Sequence, residues 1–344
     1  MLLRIASAPQ IASGLRKFDF SPVWFARGGF RNSGWFLESD GDRYEEGNLV
    51  SNGAGNDFGF GDGGGFAGQA KAPAPAPFEP WDVAFGGALM NDYVWRGITQ
   101  SGHKPSVAGY FEPRYNIDPN LQLYAGVSGE SIKFPNNAAA EIDLYGGIRP
   151  TIGPVAFDLG FWCYYYPGGN DSYVQAGART PAIANASFYE VYGHATWTAT
   201  DWLALGGNVF YTPSYLNTGA KGTYASGTVK LTAPSTWFPN GIGAYASGEF
   251  GRQWLGTADA YTVAGVGAVP ATDYADYDTW NLGIGFTWKV FTLDLRYSDT
   301  NLSKADCATI TGDPGASGAP LQSRWCGATF IAKLSADLTL GSLK

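Results

Sequence analysis

The chain has 344 residues, of which 15% are charged, 15% are aromatic and 48 are glycine, with a formal net charge of −8. So few charges do not suit a soluble α/β enzyme, where about 25% is usual, and the negative balance argues against a nucleic-acid partner. No apolar run approaches the roughly 18 residues that a spanning helix needs, so a membrane form of this chain has to be a closed β-barrel.

Residues 1–80 show no periodic apolar pattern. Gly and Asn cluster from Ser51 to Gly65, and the run Ala70-Lys71-Ala72-Pro73-Ala74-Pro75-Ala76-Pro77 follows. This stretch reads as a disordered N-terminal extension with an Ala-Pro linker. Met1-Leu2-Leu3-Arg4-Ile5-Ala6 does not sustain an apolar secretory core. The Ala-Pro run has the composition of a mature N-terminus after a cleaved leader, so the start codon is expected to be misassigned.

From residue 81 the pattern changes to short segments of period two. In Val155–Tyr165, Val155, Phe157, Leu159, Phe161, Cys163 and Tyr165 form one face, and Ala156, Asp158, Gly160, Trp162 and Tyr164 the other. A continuous apolar face backed by charge, glycine and aromatics describes a strand with lipid outside and a polar lumen inside. Twelve such strands are predicted, at 82–97, 107–117, 121–131, 140–150, 154–166, 186–198, 202–212, 223–233, 241–253, 278–288, 291–299 and 326–340. Tight connections such as Asp118-Pro119-Asn120 and Lys289-Val290 alternate with long polar ones near 98–106, 132–139, 167–185, 213–222, 254–277 and 300–325. The fold class is therefore all-β: a twelve-stranded antiparallel transmembrane barrel over 81–344, in the outer membrane, with both termini on the periplasmic side. Its expected partners are outer-membrane lipid, the barrel-assembly machinery and small polar solutes or ions.

This register directs a set of charged and polar residues inward. They are Asp92, Arg96, Glu112, Arg114, Glu141, Asp143, Asp158, Glu190, His194, Glu249, Asp294, Arg296 and Lys333. With Glu130, Arg149, Lys230 and Asp337, the lumen holds ten acids against six bases, four net negative charges, and a mild cation preference is expected of any pore. Asp92 and Arg96 on the first strand are expected to face Glu112 and Arg114 on the second, as a selectivity element or as an ion-pair network that plugs a narrow barrel. Tyr93 and Trp95 are expected to point outward into an interfacial girdle. Arg252 falls outward near a loop end, where it can snorkel.

Cys307 and Cys326 bracket a polar loop and are candidates for a disulfide in an oxidising compartment, whereas Cys163 reads as a small lipid-facing residue. His194 sits on a lumen face near Glu190. Neither histidine is paired locally with a candidate nucleophilic Ser, no Gly-x-Ser-x-Gly is present in a suitable turn, and no ligand spacing points to zinc, so no catalytic residue, metal or cofactor is assigned. The loop acids Asp273, Asp276 and Asp278 read as solvated charges rather than a Ca²⁺ loop.

The stretch Asn91-Asp92-Tyr93-Val94-Trp95-Arg96-Gly97-Ile98-Thr99-Gln100-Ser101, with Pro105 after it, resembles the opening motif of the TorF (Gcw_chp) family of porins. Glu141-Ile142-Asp143-Leu144-Tyr145-Gly146-Gly147, Tyr164-Tyr165-Tyr166-Pro167-Gly168 and Leu295-Arg296-Tyr297-Ser298-Asp299-Thr300 resemble later strand motifs of that family. The resemblance covers about 81–340. It implies an outer-membrane barrel of porin type, with passive diffusion through a charged lumen. The residues themselves leave a second reading open, a closed barrel that braces the envelope or presents its loops.

Overall fold

The computed structural model describes residues 79–175 and 178–341. The expected extension over 1–80 lies outside the described residues except for its last two positions. Twelve strands close into one antiparallel barrel, each paired with its sequence neighbour and the last with the first. They are β1 (Trp81–Met90), β2 (Ser106–Asp118), β3 (Leu121–Glu130), β4 (Glu141–Ile152), β5 (Val155–Tyr165), β6 (Phe188–Thr200), β7 (Leu203–Thr212), β8 (Gly222–Thr232), β9 (Ile242–Leu255), β10 (Tyr277–Trp288), β11 (Phe291–Thr300) and β12 (Thr329–Thr339). Closure pairs Ala84–Met90 of β1 with Lys333–Thr339 of β12, so no edge is left open.

The faces follow the alternation in the sequence. Leu89, Val107, Leu144, Phe161, Val191, Val209, Leu282, Ile284 and Leu334 are exposed on the outside. In water such a continuous apolar belt would be costly; in a bilayer it is the required surface. Aromatics ring both ends of the belt. Trp81, Tyr115, Trp197, Trp202, Trp288 and Phe291 stand at the end with the short turns, and Tyr165, Tyr189, Tyr211, Trp254 and Phe330 at the end with the long loops. A closed barrel with this belt is an outer-membrane protein. Arg252 is outward, as its register requires, and pairs with Asp278 at 2.9 Å. Cys163 lies on the outer face of β5, opposite Leu144 and Tyr189.

One boundary departs from expectation by more than a turn. The first strand stops at Met90, not near 97. Val94–Trp95 instead pairs with Ile98–Thr99 as a separate small hairpin, and the two residues between them, Arg96 and Gly97, have φ of 48° and 75°. Positive φ at both central positions is the requirement of the tight hairpin turn whose twist matches its strands. Gly97 satisfies it without a side chain, and a Cβ there would come within 2.9 Å of Thr279 Oγ1 and 3.0 Å of Thr300 Cβ. The hairpin therefore lies inside the barrel, its tip against β10 and β11.

Candidate functional site: the occluded lumen and its polar passage

The segment 91–105 enters the lumen because its polar groups are satisfied there. Asp92 is 2% exposed. Its Oδ1 accepts from Thr99 Oγ1 (2.5 Å) and Ser101 Oγ (3.0 Å), and its Oδ2 meets His103 Nδ1 at 2.6 Å. That carboxylate ties the two limbs of the segment together. The hydrogen bond that His103 donates to Asp92 raises the His103 pKa above its ordinary value, against a smaller effect of partial burial. His103 Nε2 reaches the Arg324 carbonyl oxygen at 2.8 Å.

At the hairpin tip Arg96 crosses the barrel. Its guanidinium donates to both carboxylate oxygens of Glu190 on β6, at 2.9 and 2.8 Å, and to Gln253 Oε1 on β9 at 3.0 Å. It also lies over the rings of Trp95, Phe210 and Tyr224, 4.2–4.7 Å from their centroids. Glu190 accepts a further bond from Tyr164 Oη at 3.1 Å. A two-pronged pair of this kind is the strongest geometry open to an arginine.

The placement of this segment corrects two expectations. Arg96 and Asp92 do not pair across the sheet with Glu112 and Arg114; they sit on an inserted hairpin, not on β1. Tyr93 and Trp95 are not in an interfacial girdle: they are 2% and 6% exposed, inside the barrel. Tyr93 donates to Glu141 Oε1 at 2.9 Å, and Trp95 stacks on Tyr215 with ring centroids 6.0 Å apart. The cause is the Arg96-Gly97 turn, which reverses the chain in the middle of an unbroken alternating pattern.

The hairpin divides the lumen into unlike sides. On the β2–β7 side side chains interlock. Glu112 pairs with Arg114 (2.6 Å) and Arg149 (2.8 Å), and Arg149 also holds Asp158 (3.0 Å) while lying 3.6 Å over the Tyr124 ring. Tyr145 stacks on Trp162 at 4.2 Å and Tyr164 on Phe188 at 4.6 Å. His194 is buried between Tyr192 and Phe210, and neither ring nitrogen has a hydrogen-bond partner, so it makes no pair with Glu190. Glu141 and Asp143 lie on this side as well, at the loop end of β4.

On the β8–β12 side a cavity of about 200 Å³ remains. Asp92, Arg96, Glu249, Asp294, Arg296 and Lys333 line it, joined by Lys230. Asp294 and Arg296 pair at 3.0 Å, Tyr245 Oη donates to Asp294 at 2.7 Å, and Arg296 reaches Ser247 Oγ at 2.8 Å. Asn281 and Thr279 complete this polar lining; as uncharged residues they gave no signal in the sequence.

The outer mouth is capped by its loops. Cys307, in the helix α1 (Lys304–Thr311), is joined to Cys326 with their Cα atoms 5.9 Å apart. That link holds 304–326 against the inserted segment, where Thr99 N donates to the Trp325 carbonyl at 2.9 Å. Tyr173 Oη, from the loop that follows β5, donates to the Gly312 carbonyl at 3.3 Å. Asp273 bonds Thr257 Oγ1 (2.5 Å) and Asp276 accepts from Leu255 N (2.9 Å), while Arg252 pairs with Asp278 (2.9 Å) and lies 3.9 Å from Asp276.

Comparison with solved structures finds outer-membrane proteins at low identity. An outer membrane channel from Pseudomonas putida F1 is 10% identical, with 78% of this chain and 100% of that one covered and a TM-score of 0.40. LpxR from Salmonella typhimurium is 8% identical over 74% and 99% of the two chains, with a TM-score of 0.38. Salmonella typhi OmpF, solved with daunomycin, is 7% identical over 76% and 97%, with a TM-score of 0.34. No curated protein sequence matches. Residues 74–315 match the family model described as bacterial protein of unknown function (Gcw_chp). That span is well over half of the chain, and it contains the inserted hairpin and eleven of the strands that enclose it: the chain belongs to the Gcw_chp family.

Proposed function

We propose that this protein is a narrow outer-membrane channel for ions and small polar solutes, held nearly shut by the hairpin that carries Arg96. The observation that carries this reading is the polar cavity of about 200 Å³ left between the hairpin and β8–β12. A barrel meant only to be rigid would gain from filling that side with interlocked side chains, as the opposite side is filled. The passage is lined instead by charges and hydroxyls, the surface that a hydrated solute can cross. The porin role implied by the family resemblance fits the same geometry, as do a lipid environment and assembly by the usual machinery for such barrels.

The ion preference we infer is weaker than the whole-lumen charge implies. Acids outnumber bases chiefly on the packed side. The strand residues facing the cavity are Lys230, Arg296 and Lys333 against Glu249 and Asp294. The passage should therefore show no preference for cations.

A second reading is favoured by one specific observation. Trp95 and Phe188 meet each other and both Tyr164 and Tyr215 with ring centroids at most 6.4 Å apart, which would brace a closed structural barrel. Planar-bilayer recording of the full chain separates the two. A channel gives small steady conductance steps that grow in Arg96→Ala. Folded, heat-modifiable protein without conductance, both as wild type and as Arg96→Ala, would establish the closed barrel.

A further inference from the structure

At the loop end of β3 and β4 the lumen holds three carboxylates in contact. Glu130 and Glu141 are directly opposed across the two strands, and Asp143 is opposed to Ser128. All three are at most 3% exposed. One oxygen from each can be chosen so that the three lie within 4.8 Å of one another. Like charges opposed on a sheet are destabilising even at a surface, and buried carboxylates need a compensating partner. Elsewhere in the lumen that partner is an arginine: Glu112, Asp158, Glu190 and Asp294 each have one at 3.0 Å or less. Among the described residues no base forms an ion pair with Glu130, Glu141 or Asp143.

The hydrogen bonds within the group show which oxygens are left over. Tyr93 Oη donates to Glu141 Oε1, and Ser128 Oγ to Asp143 Oδ2 at 3.3 Å. These hydroxyls hold the two carboxylates as acceptors and fix their orientation. Glu141 Oε2, Asp143 Oδ1 and both oxygens of Glu130 are buried with no hydrogen-bond partner. Four buried carboxylate oxygens of this one group are therefore left over.

We propose that Glu130, Glu141 and Asp143 bind a divalent cation of the Ca²⁺ type. A hard cation with oxygen ligands at about 2.3–2.6 Å has opposed ligands about 5 Å apart, so the three carboxylates can share one ion without rearrangement. All the donors are oxygen, which favours Ca²⁺ or Mg²⁺ over the softer metals. Through Tyr93 the ion would also anchor the base of the inserted hairpin. The site does not depend on whether the barrel conducts.

The test uses the full chain, refolded in lipid-free detergent with metal removed, and Tb³⁺ as a luminescent stand-in for Ca²⁺. Excitation passes through Tyr93, whose hydroxyl touches Glu141. The expected result is saturable sensitised emission, one ion per chain, displaced by Ca²⁺. Affinity should fall by at least the roughly tenfold that even outer-shell changes cost at metal sites in Asp143→Asn and in Glu130→Gln. Asp273→Asn should leave it unchanged. Heat modifiability on gels shows which variants fold, and Glu141→Gln replaces any that does not. Absence of sensitised emission from the folded wild type would overturn the proposal, because the cluster is then neutralised by protons. Emission that survives the cluster substitutions, or that is lost in Asp273→Asn, would overturn it equally.

Discussion

Arg96 is the side chain on which the occlusion depends. It is almost fully buried, and Glu190 opposite it is 1% exposed. Removing one member of a buried pair strands the other as an uncompensated charge, which typically costs about 3–5 kcal/mol. Arg96→Ala should therefore lower stability by an amount in that range, read from the urea midpoint of refolded barrel. The double variant Arg96→Ala, Glu190→Gln should recover part of it, since the stranded charge is then gone. Arg96→Lys should not rescue, because an ammonium cannot grip both carboxylate oxygens and lie against three rings at once. A second residue sets a pH response. Asp92 raises the folded-state pKa of His103 above the ordinary value of about 6.5. The contribution of that pair is fully present below the unfolded value and is lost as pH rises through the folded one. His103 links the inserted segment to the Arg324 carbonyl, so the outer mouth should be tightest in mild acid. Conductance should rise as pH climbs beyond the ordinary histidine range, and His103→Gln should flatten the profile. An unchanged profile in that variant would remove His103 from the gate.

The elements divide into those the sequence pattern determines and one that it disguises. Eleven of the twelve strands lie within three residues of their predicted limits, since each needs an outer face fit for lipid and a one-residue slip would turn every charge outward. The exception is the stretch after Met90. Tyr93-Val94-Trp95-Arg96 alternates as well as any strand, so periodicity carries the strand on to 97. The competing signal was local: a residue followed by Gly, with short β-prone pairs on either side, is also the mark of a two-residue hairpin turn. What decides between them lies far away in the chain, at Glu190 and Gln253, which reward insertion of Arg96 and cannot be foreseen from residues 91–105. The carboxylate cluster was half legible: Glu130, Glu141 and Asp143 were all directed inward, but that no base among the described residues pairs with them depends on the whole lumen. The link between Cys307 and Cys326 acts on a further element, the loop that covers the hairpin. With the cysteines 19 positions apart in sequence, loop-closure entropy alone makes the cross-link worth about 3 kcal/mol. Cys307→Ser should leave the barrel folded and heat-modifiable while making 301–328 sensitive to protease. Equal resistance with and without the link would show that the packing of α1 suffices to hold the loop.

At the scale of the whole molecule, an apolar exterior and a charged interior are one constraint, because in a closed sheet of period two every inward charge fixes an outward neighbour. Gly283 and Gly285 of β10 show this from the crowded side. A Cβ at Gly285 would come within 2.1 Å of the Tyr245 ring, and one at Gly283 within 3.1 Å of the Arg296 guanidinium. The lumen needs those gaps, and the outer face of the same strand meets lipid through the alternating Leu282, Ile284 and Phe286, with Trp288 at its end. Leu282 is 66% exposed near the middle of its strand. Arginine at such a site should cost about 2–4 kcal/mol at the bilayer midplane and close to nothing near the interface. Leu282→Arg should accordingly fold poorly into bilayers, with a penalty in that range relative to wild type. Trp288→Arg, at the girdle on the turn side, should fold almost normally. In detergent micelles, which deform around a charge, the difference between the two should narrow. Were Leu282→Arg to fold into bilayers as readily as Trp288→Arg, the exposed belt would not be the surface that meets hydrocarbon, and the membrane assignment that rests on it would fail.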